Sequence, residues 1–140
     1  MRVLVDTSVW ADFFNDHPSP EQQALVDLLT GDDEISTCGV VVAEVFQGLH
    51  REKGRARLAE LFRDLTFLEP AGIDLYFRAA ELYRALRQRG KTIRSTIDCV
   101  IAVLAEEHGC SVLARDRDME TILESGLLAV AGWPVSRRSS

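Results

Sequence analysis

Four carboxylates, Asp6, Glu44, Asp98 and Asp116, each stand beside an apolar run. Asp6 ends Val3-Leu4-Val5, Glu44 sits between Val40-Val41-Val42-Ala43 and Val45-Phe46, and Asp116 follows Ser111–Ala114. Gathered in one place, such groups repel by about 1 kcal/mol per pair at 4 Å in water and about 4 kcal/mol at an effective dielectric near 20. A fold relieves that repulsion by protonating some of them or by binding a cation. Oxygen donors with no His or Cys among them favour a hard ion, Mg²⁺ or Mn²⁺, over zinc. The chemistry such a group supports is metal-assisted attack of water on a phosphate.

Whether the four meet depends on the elements that carry them. Val3–Val5, Ile35–Cys38, Thr66–Leu68, Ser111–Ala114 and Leu127–Val130 read as short buried strands. Helices are expected at Val9–Phe14, from the Ser19-Pro20-Glu21-Gln22 capping box to near Gly31, and at Val41–His50, Arg55–Asp64 and Asp74–Gln88. Ser95 or Thr96 caps a further helix that Gly109 closes, and Met119–Ser125 forms a last short one. Alternating strands and helices imply an α/β fold, a three-layer α/β/α sandwich around a mostly parallel central sheet. Ligands of such sheets bind beyond the carboxyl ends of the strands. Asp6, Glu44 and Asp116 fall at or just past those ends, and Asp98 lies in the first turn of a helix that returns to the same edge.

Each acid also has a plainer reading. Asp116 after a strand is a turn former or helix cap, and Asp98 complements a helix dipole. Glu44 and Asp6 are harder to explain this way, because each places a charge against the core. Taken jointly the four are far more specific than any one.

The chain has 140 residues, with 16 basic and 22 acidic side chains and a formal net charge of -6. That suits one domain, expected over 1–135, with a flexible tail at 136–140. Apolar runs are too short for a membrane span, and Asp6 comes too early for a signal peptide, so the expected location is the cytoplasm. Cys38, Cys99 and Cys110 form no paired motif and read as inert buried thiols. His17, His50 and His108 read as surface or cap residues, and activity is not expected to depend on them.

The acidic balance argues against broad phosphate binding through Lys and Arg. A four-carboxylate pocket nevertheless accounts for part of the surplus. Cations do cluster before Asp98, where Arg87, Arg89 and Arg94 are candidates to hold a phosphate backbone, with Arg115 and Arg117 contributing from the other side. The plain alternative is a solvated helix end. Trp10, Phe13, Phe14, Phe46 and Leu49 are mostly core, with some expected to line a groove near the Asp6 edge.

The segments Val5-Asp6-Thr7-Ser8-Val9-Trp10, Ala43-Glu44-Val45-Phe46-Gln47-Gly48, Ser95-Thr96-Ile97-Asp98-Cys99-Val100-Ile101-Ala102 and Ala114-Arg115-Asp116-Arg117-Asp118-Met119 together resemble the PIN-domain ribonucleases. Among these the likeness is to the VapC toxins of bacterial toxin–antitoxin pairs, and it covers nearly the whole chain. It implies a Mg²⁺- or Mn²⁺-dependent endoribonuclease that leaves a 5′-phosphate and a 3′-hydroxyl. By position, Asp6 looks like a direct metal ligand and Glu44 like the carboxylate tied to proton transfer, with Asp98 and Asp116 completing the quartet. Ser8 matches the small polar residue that helps hold the site together. Met119 departs from the aromatic common at that point of the motif; Asp116 is favoured as the metal ligand and Asp118 as its support.

The resemblance also implies a cognate VapB-type antitoxin whose C-terminal segment lies in a groove and sets a basic side chain in the metal site. A homodimer and a larger toxin–antitoxin assembly are implied as well. Two other readings remain open at this point. One is a housekeeping PIN-domain nuclease of RNA processing without an antitoxin. The other is a phosphoacceptor or regulatory module, which needs a lysine after a core strand that neither Lys53 nor Lys91 supplies.

Overall fold

Val3, Leu4 and Val5 are wholly buried because their strand lies inside the sheet with a parallel neighbour on each side. The computed structural model describes residues 1–49, 52 and 54–136. Its elements are β1 (Arg2–Val5), α1 (Thr7–Phe14), α2 (Pro20–Leu29), β2 (Glu34–Cys38), α3 (Gly39–Gln47), α4 (Arg55–Asp64), β3 (Thr66–Leu68), α5 (Asp74–Gln88), α6 (Thr96–Glu107), β4 (Ser111–Leu113) and α7 (Arg117–Glu124).

The sheet order is β3-β2-β1-β4, and every pairing is parallel, with Leu4 facing Ser36 on one side and Val112 on the other. From β1 the chain steps to β2 and then β3 in one direction, through α1–α4. It then crosses back over the whole sheet through α5 and α6 to reach β4. Right-handed crossovers put the first set of helices on one face and the second on the opposite face. Packing agrees, since α1 meets α2 and α3 while α5 meets α6. The expected three-layer α/β sandwich is therefore the observed one. Because the chain leaves β1 toward one edge and enters β4 on the other side, a crevice opens beyond β1 and β4.

Local chemistry fixes where the helices begin. Ser19 accepts the Gln22 N–H at 3.0 Å ahead of Pro20, the capping arrangement expected for α2. Ser95, one of the two candidates, caps α6 by accepting the Ile97 N–H at 3.1 Å. Helices α1 and α7 start two residues earlier than expected, because site carboxylates cap them: Asp6 accepts from the Ser8 N–H, and Asp116 from the Met119 N–H. Helix α6 is buried well beyond a single stripe, at Cys99 and Ile101–Ala105, since it packs against α5, α7 and β4. It thus anchors Asp98 on the most enclosed helix of its face.

The strand expected at Leu127–Val130 does not form. The Leu127 N–H goes to Ser125 Oγ at 3.2 Å and the Ala129 N–H to a Glu106 carboxylate oxygen at 2.6 Å, so these donors are spent on side chains. Pairing with β4 is delayed to a single bridge between Val112 and Gly132. The expected helix Val41–His50 instead spans Gly39–Gln47, and His50 lies outside the described residues, as do Lys53 and the tail from 137 onward. Among the described residues no helix is long and apolar enough to cross a membrane.

Candidate active site

The crevice beyond β1 and β4 is a cavity of about 310 Å³ lined by Asp6, Thr7, Ser8, Glu44, Arg94, Ser95, Ile97, Asp98, Asp116 and Asp118. All four carboxylates of the expected quartet therefore face one space, contributed by the end of β1, by α3, by the first turn of α6 and by the cap of α7. Carboxylate oxygens of Asp98, Asp116 and Asp118 lie within 4.8 Å of one another, a spacing that fits one metal ion. Asp118 thus stands in the same trio as Asp116, in the first turn of α7.

Hydrogen bonds set each acid. The Ser8 hydroxyl donates to Asp6 Oδ2 at 2.7 Å and accepts the Arg115 backbone N–H at 3.0 Å, so it joins the end of β1 to the segment after β4. The Thr7 hydroxyl donates to Glu44 Oε1 at 2.9 Å, linking α1 to α3. Asp116 divides its oxygens, with Oδ2 capping α7 at 3.0 Å and Oδ1 accepting from Arg94 at 3.2 Å. The plain reading of Asp116 as a helix cap is therefore correct, Asp6 caps α1 although its sequence context gave no such reading, and both caps coexist with a place in the cavity.

The electrostatics show the strain of gathering like charges. Burial pushes the Asp6 carboxyl up, against two hydrogen bonds from Ser8 and with Asp116 and Glu44 adding repulsion. Burial, a hydrogen bond shared with Asp116 and the charges of Asp116, Asp6 and Asp118 push Asp98 up to about 8. Asp118 behaves oppositely. Burial works against its charge, but hydrogen bonds from the Arg94 backbone and side chain outweigh it and hold the carboxyl low.

The candidate RNA-contact arginines separate into distinct positions. Arg94 turns into the cavity, while Arg115 donates to Asp12 at 3.0 Å. Arg89 donates to the Ser125 carbonyl at 2.9 Å, and Arg87 and Arg117 are exposed. Sequence reasoning missed the bond from Thr7 to Glu44 and the inward turn of Arg94. The adjacency of Thr7 to Asp6 was the available signal for the first; nothing in the charge run marked the second.

An apolar groove of about 540 Å³ lies on the α3–α4 side, lined by residues including Val42, Phe46, Phe62, Leu65 and Phe67. Of the aromatic residues considered above, Phe46 lines this groove and Trp10 is fully buried, with Phe13 and Phe14 packed around it.

The PIN domain family matches residues 3–123. The VapC ribonuclease Mb1587 of Mycobacterium bovis and Ribonuclease VapC11 of Mycobacterium tuberculosis are each 32% identical over 132 residues, covering 94% of this chain and 98% of their own. Among solved structures, VapBC2 from Rickettsia felis bound to a DNA fragment from its promoter superposes with a TM-score of 0.69 at 21% identity, over 96% of this chain and 100% of that one.

Proposed function

The chain belongs to the PIN-domain family and, within it, to the VapC ribonucleases, and from that premise we propose that it is a metal-dependent endoribonuclease toxin acting through the crevice beyond β1 and β4. The observation that carries the reading is the convergence of Asp6, Glu44, Asp98, Asp116 and Asp118 on one cavity. Among the described residues its lining holds carboxylate and hydroxyl oxygens and no His or Cys, which suits Mg²⁺ or Mn²⁺. Asp98, Asp116 and Asp118 would hold the ion, with Asp6 and Glu44 completing its surroundings. Such a cation supplies Lewis acidity at the phosphate and lowers the pKa of the attacking water.

The chain's own groups do the rest. Thr7 fixes Glu44 through Oε1, and Glu44 takes the proton of the attacking water on Oε2. The water oxygen bonds to phosphorus as the bond to the 3′-oxygen breaks, leaving a 5′-phosphate and a 3′-hydroxyl protonated from solvent. Ser8 holds the Asp6 carboxylate in place through Oδ2, at the edge of the space the cation would fill. The test is incubation of the purified chain with single-stranded RNA and Mg²⁺, followed by analysis of the product ends. Fragments with 5′-phosphates are expected, and 2′,3′-cyclic phosphates would overturn this route.

The backbone of the RNA is expected to cross the exposed cations at the end of α5. Arg87→Ala with Arg89→Ala should weaken RNA binding and shallow its dependence on log salt by about 1.4, at about 0.7 per lost phosphate contact. An unchanged slope would remove these arginines from the path.

The cognate antitoxin is expected to lay an apolar segment in the α3–α4 groove and bring a basic side chain to the acidic cavity. The exposed side chains Ile73, Tyr76 and Phe77 near the start of α5 offer a face for the homodimer. The place of action is the cytoplasm, where RNA and antitoxin are both available.

A further inference from the structure

Arg94 precedes the cap of α6, with Ile93 buried on one side and Ser95 capping on the other. Its backbone is therefore fixed, and the Arg94 N–H donates to Asp118 Oδ2 at 3.1 Å. Its side chain is different, being 76% exposed while reaching back over the acids. Nε donates to the same Asp118 oxygen at 3.0 Å, and Nη2 spans to Asp116 Oδ1 at 3.2 Å. One guanidinium thus bridges two of the three acids whose spacing fits a metal ion.

We propose that Arg94 is a resident counter-cation of this cavity, which partly offsets the charge of Asp116 and Asp118 before a divalent ion binds and gives up Asp116 when one does. The proposal rests on the metal-site reading above and adds to it a cation supplied by the chain itself. Two features give the exchange its direction. The bond to Asp116 is the exposed one of the three, and the guanidinium that makes it is largely in water, so the pair is screened and breaking it costs little. The backbone bond to Asp118 does not involve the side chain, so Asp118 and the start of α6 stay in register when the side chain leaves. A guanidinium fork suits this bridging, whereas an ammonium engages one oxygen as a point charge.

The consequence is a competition. A positive charge about 3 Å from two prospective ligands lowers their affinity for a dication, and it also stabilises the metal-free fold by offsetting repulsion among the acids. Arg94→Gln removes the charge and leaves the backbone bond in place. Mn²⁺ binding, followed by the loss of the free-ion paramagnetic resonance signal, should become about tenfold tighter in Arg94→Gln than in the unsubstituted chain, a change of about 1.4 kcal/mol. The same variant should melt at a lower temperature in EDTA. Arg94→Lys should bind Mn²⁺ more nearly as the unsubstituted chain does. Equal or weaker Mn²⁺ binding by Arg94→Gln would overturn the proposal, because it would make Arg94 an organiser of the ligands rather than their competitor. Arg94→Lys behaving like Arg94→Gln would overturn it too, since charge would not be the cause. If the unsubstituted chain binds no Mn²⁺, or Asp98→Asn binds it as tightly, the metal-site reading itself fails and takes this inference with it.

Discussion

Asp98→Asn is expected to cleave RNA on the order of a thousandfold more slowly in Mg²⁺, the scale on which preorganised charge at a reacting centre is lost, and yet to melt higher than the unsubstituted chain when metal is withheld. The two effects have one cause. Asp98 is half-enclosed beside Asp116, Asp6 and Asp118, and its carboxyl is pushed up to about 8. Without a cation its ionised form is a liability, and with one it would be a ligand. Asparagine keeps the size and can still donate to Asp116, but it carries no charge to repel or to coordinate.

The pH dependence follows with a definite sign. An unfolded aspartate loses its proton near about 3.9, while folded Asp98 keeps its proton up to about 8. Between these values the folded state binds more protons than the unfolded, so stability falls as pH rises. The contribution is complete below the unfolded value and is lost as pH passes through the folded one. Asp6, also raised by burial, acts in the same direction. In EDTA the melting temperature of the unsubstituted chain should therefore fall from pH 5.5 to 8.5, and the fall should be shallower in Asp98→Asn. Parallel pH profiles for the two proteins would show that repulsion at Asp98 is not what the metal relieves.

Trp10→Ala should cost about 3–5 kcal/mol of stability, a large part of the about 5–15 kcal/mol of an ordinary domain. Trp10 is completely buried on α1, with its ring 4.7 Å from that of Phe62 and 5.9 Å from that of Phe14. These contacts tie α1 to α4, and α1 also carries Thr7 and Ser8, which hold Glu44 and Asp6. Loosening the helix should lower cleavage even where the chain remains folded. Trp10→Phe is a sharper comparison, because the indole N–H has no partner among the described residues and phenylalanine removes it while keeping most of the packing. Urea midpoints should place Trp10→Phe within about 1.5 kcal/mol of the unsubstituted chain. A Trp10→Ala midpoint close to that of Trp10→Phe would mean that α1 is held by something other than this ring cluster.

Much of the site was legible because its acids interrupt apolar runs. A charge directly after Val3-Leu4-Val5, or between Val42 and Phe46, needs a reason, and strand order supplies one by bringing both to the same crevice. The parallel sheet was legible at β1 for the same cause, since a strand buried on both faces reads as an apolar run, although β2 carries the buried polar residues Ser36 and Thr37. That rule also misled, because Leu127-Leu128-Ala129-Val130 is equally apolar, and periodicity is silent on whether a backbone N–H is already taken by Ser125 or Glu106. Arg94 was hidden differently. In the sequence it is one cation in a run with Arg87, Arg89 and Lys91, and only the fixed backbone before the α6 cap brings its side chain, still largely in water, over Asp118 and Asp116. Asp118 could be read as support for Asp116, but the early start of α7 at Arg117 brings it into the trio.

The net charge of -6 described the whole molecule and misdescribed its working part. On the proposed reading, an acidic protein acts on RNA because its acids share one cavity in which a dication would offset their charge, while exposed arginines stand at the end of α5.

The most direct measurement is the rate of single-stranded RNA cleavage by the unsubstituted chain, Asp6→Asn and Asp98→Asn, each in Mg²⁺ and in EDTA. Cleavage should be fast only with the unsubstituted chain in Mg²⁺ and slower on the order of a thousandfold in the variants, while both variants remain folded. Cleavage that persists in EDTA and in both variants would contradict a metal-dependent carboxylate centre beyond β1 and β4.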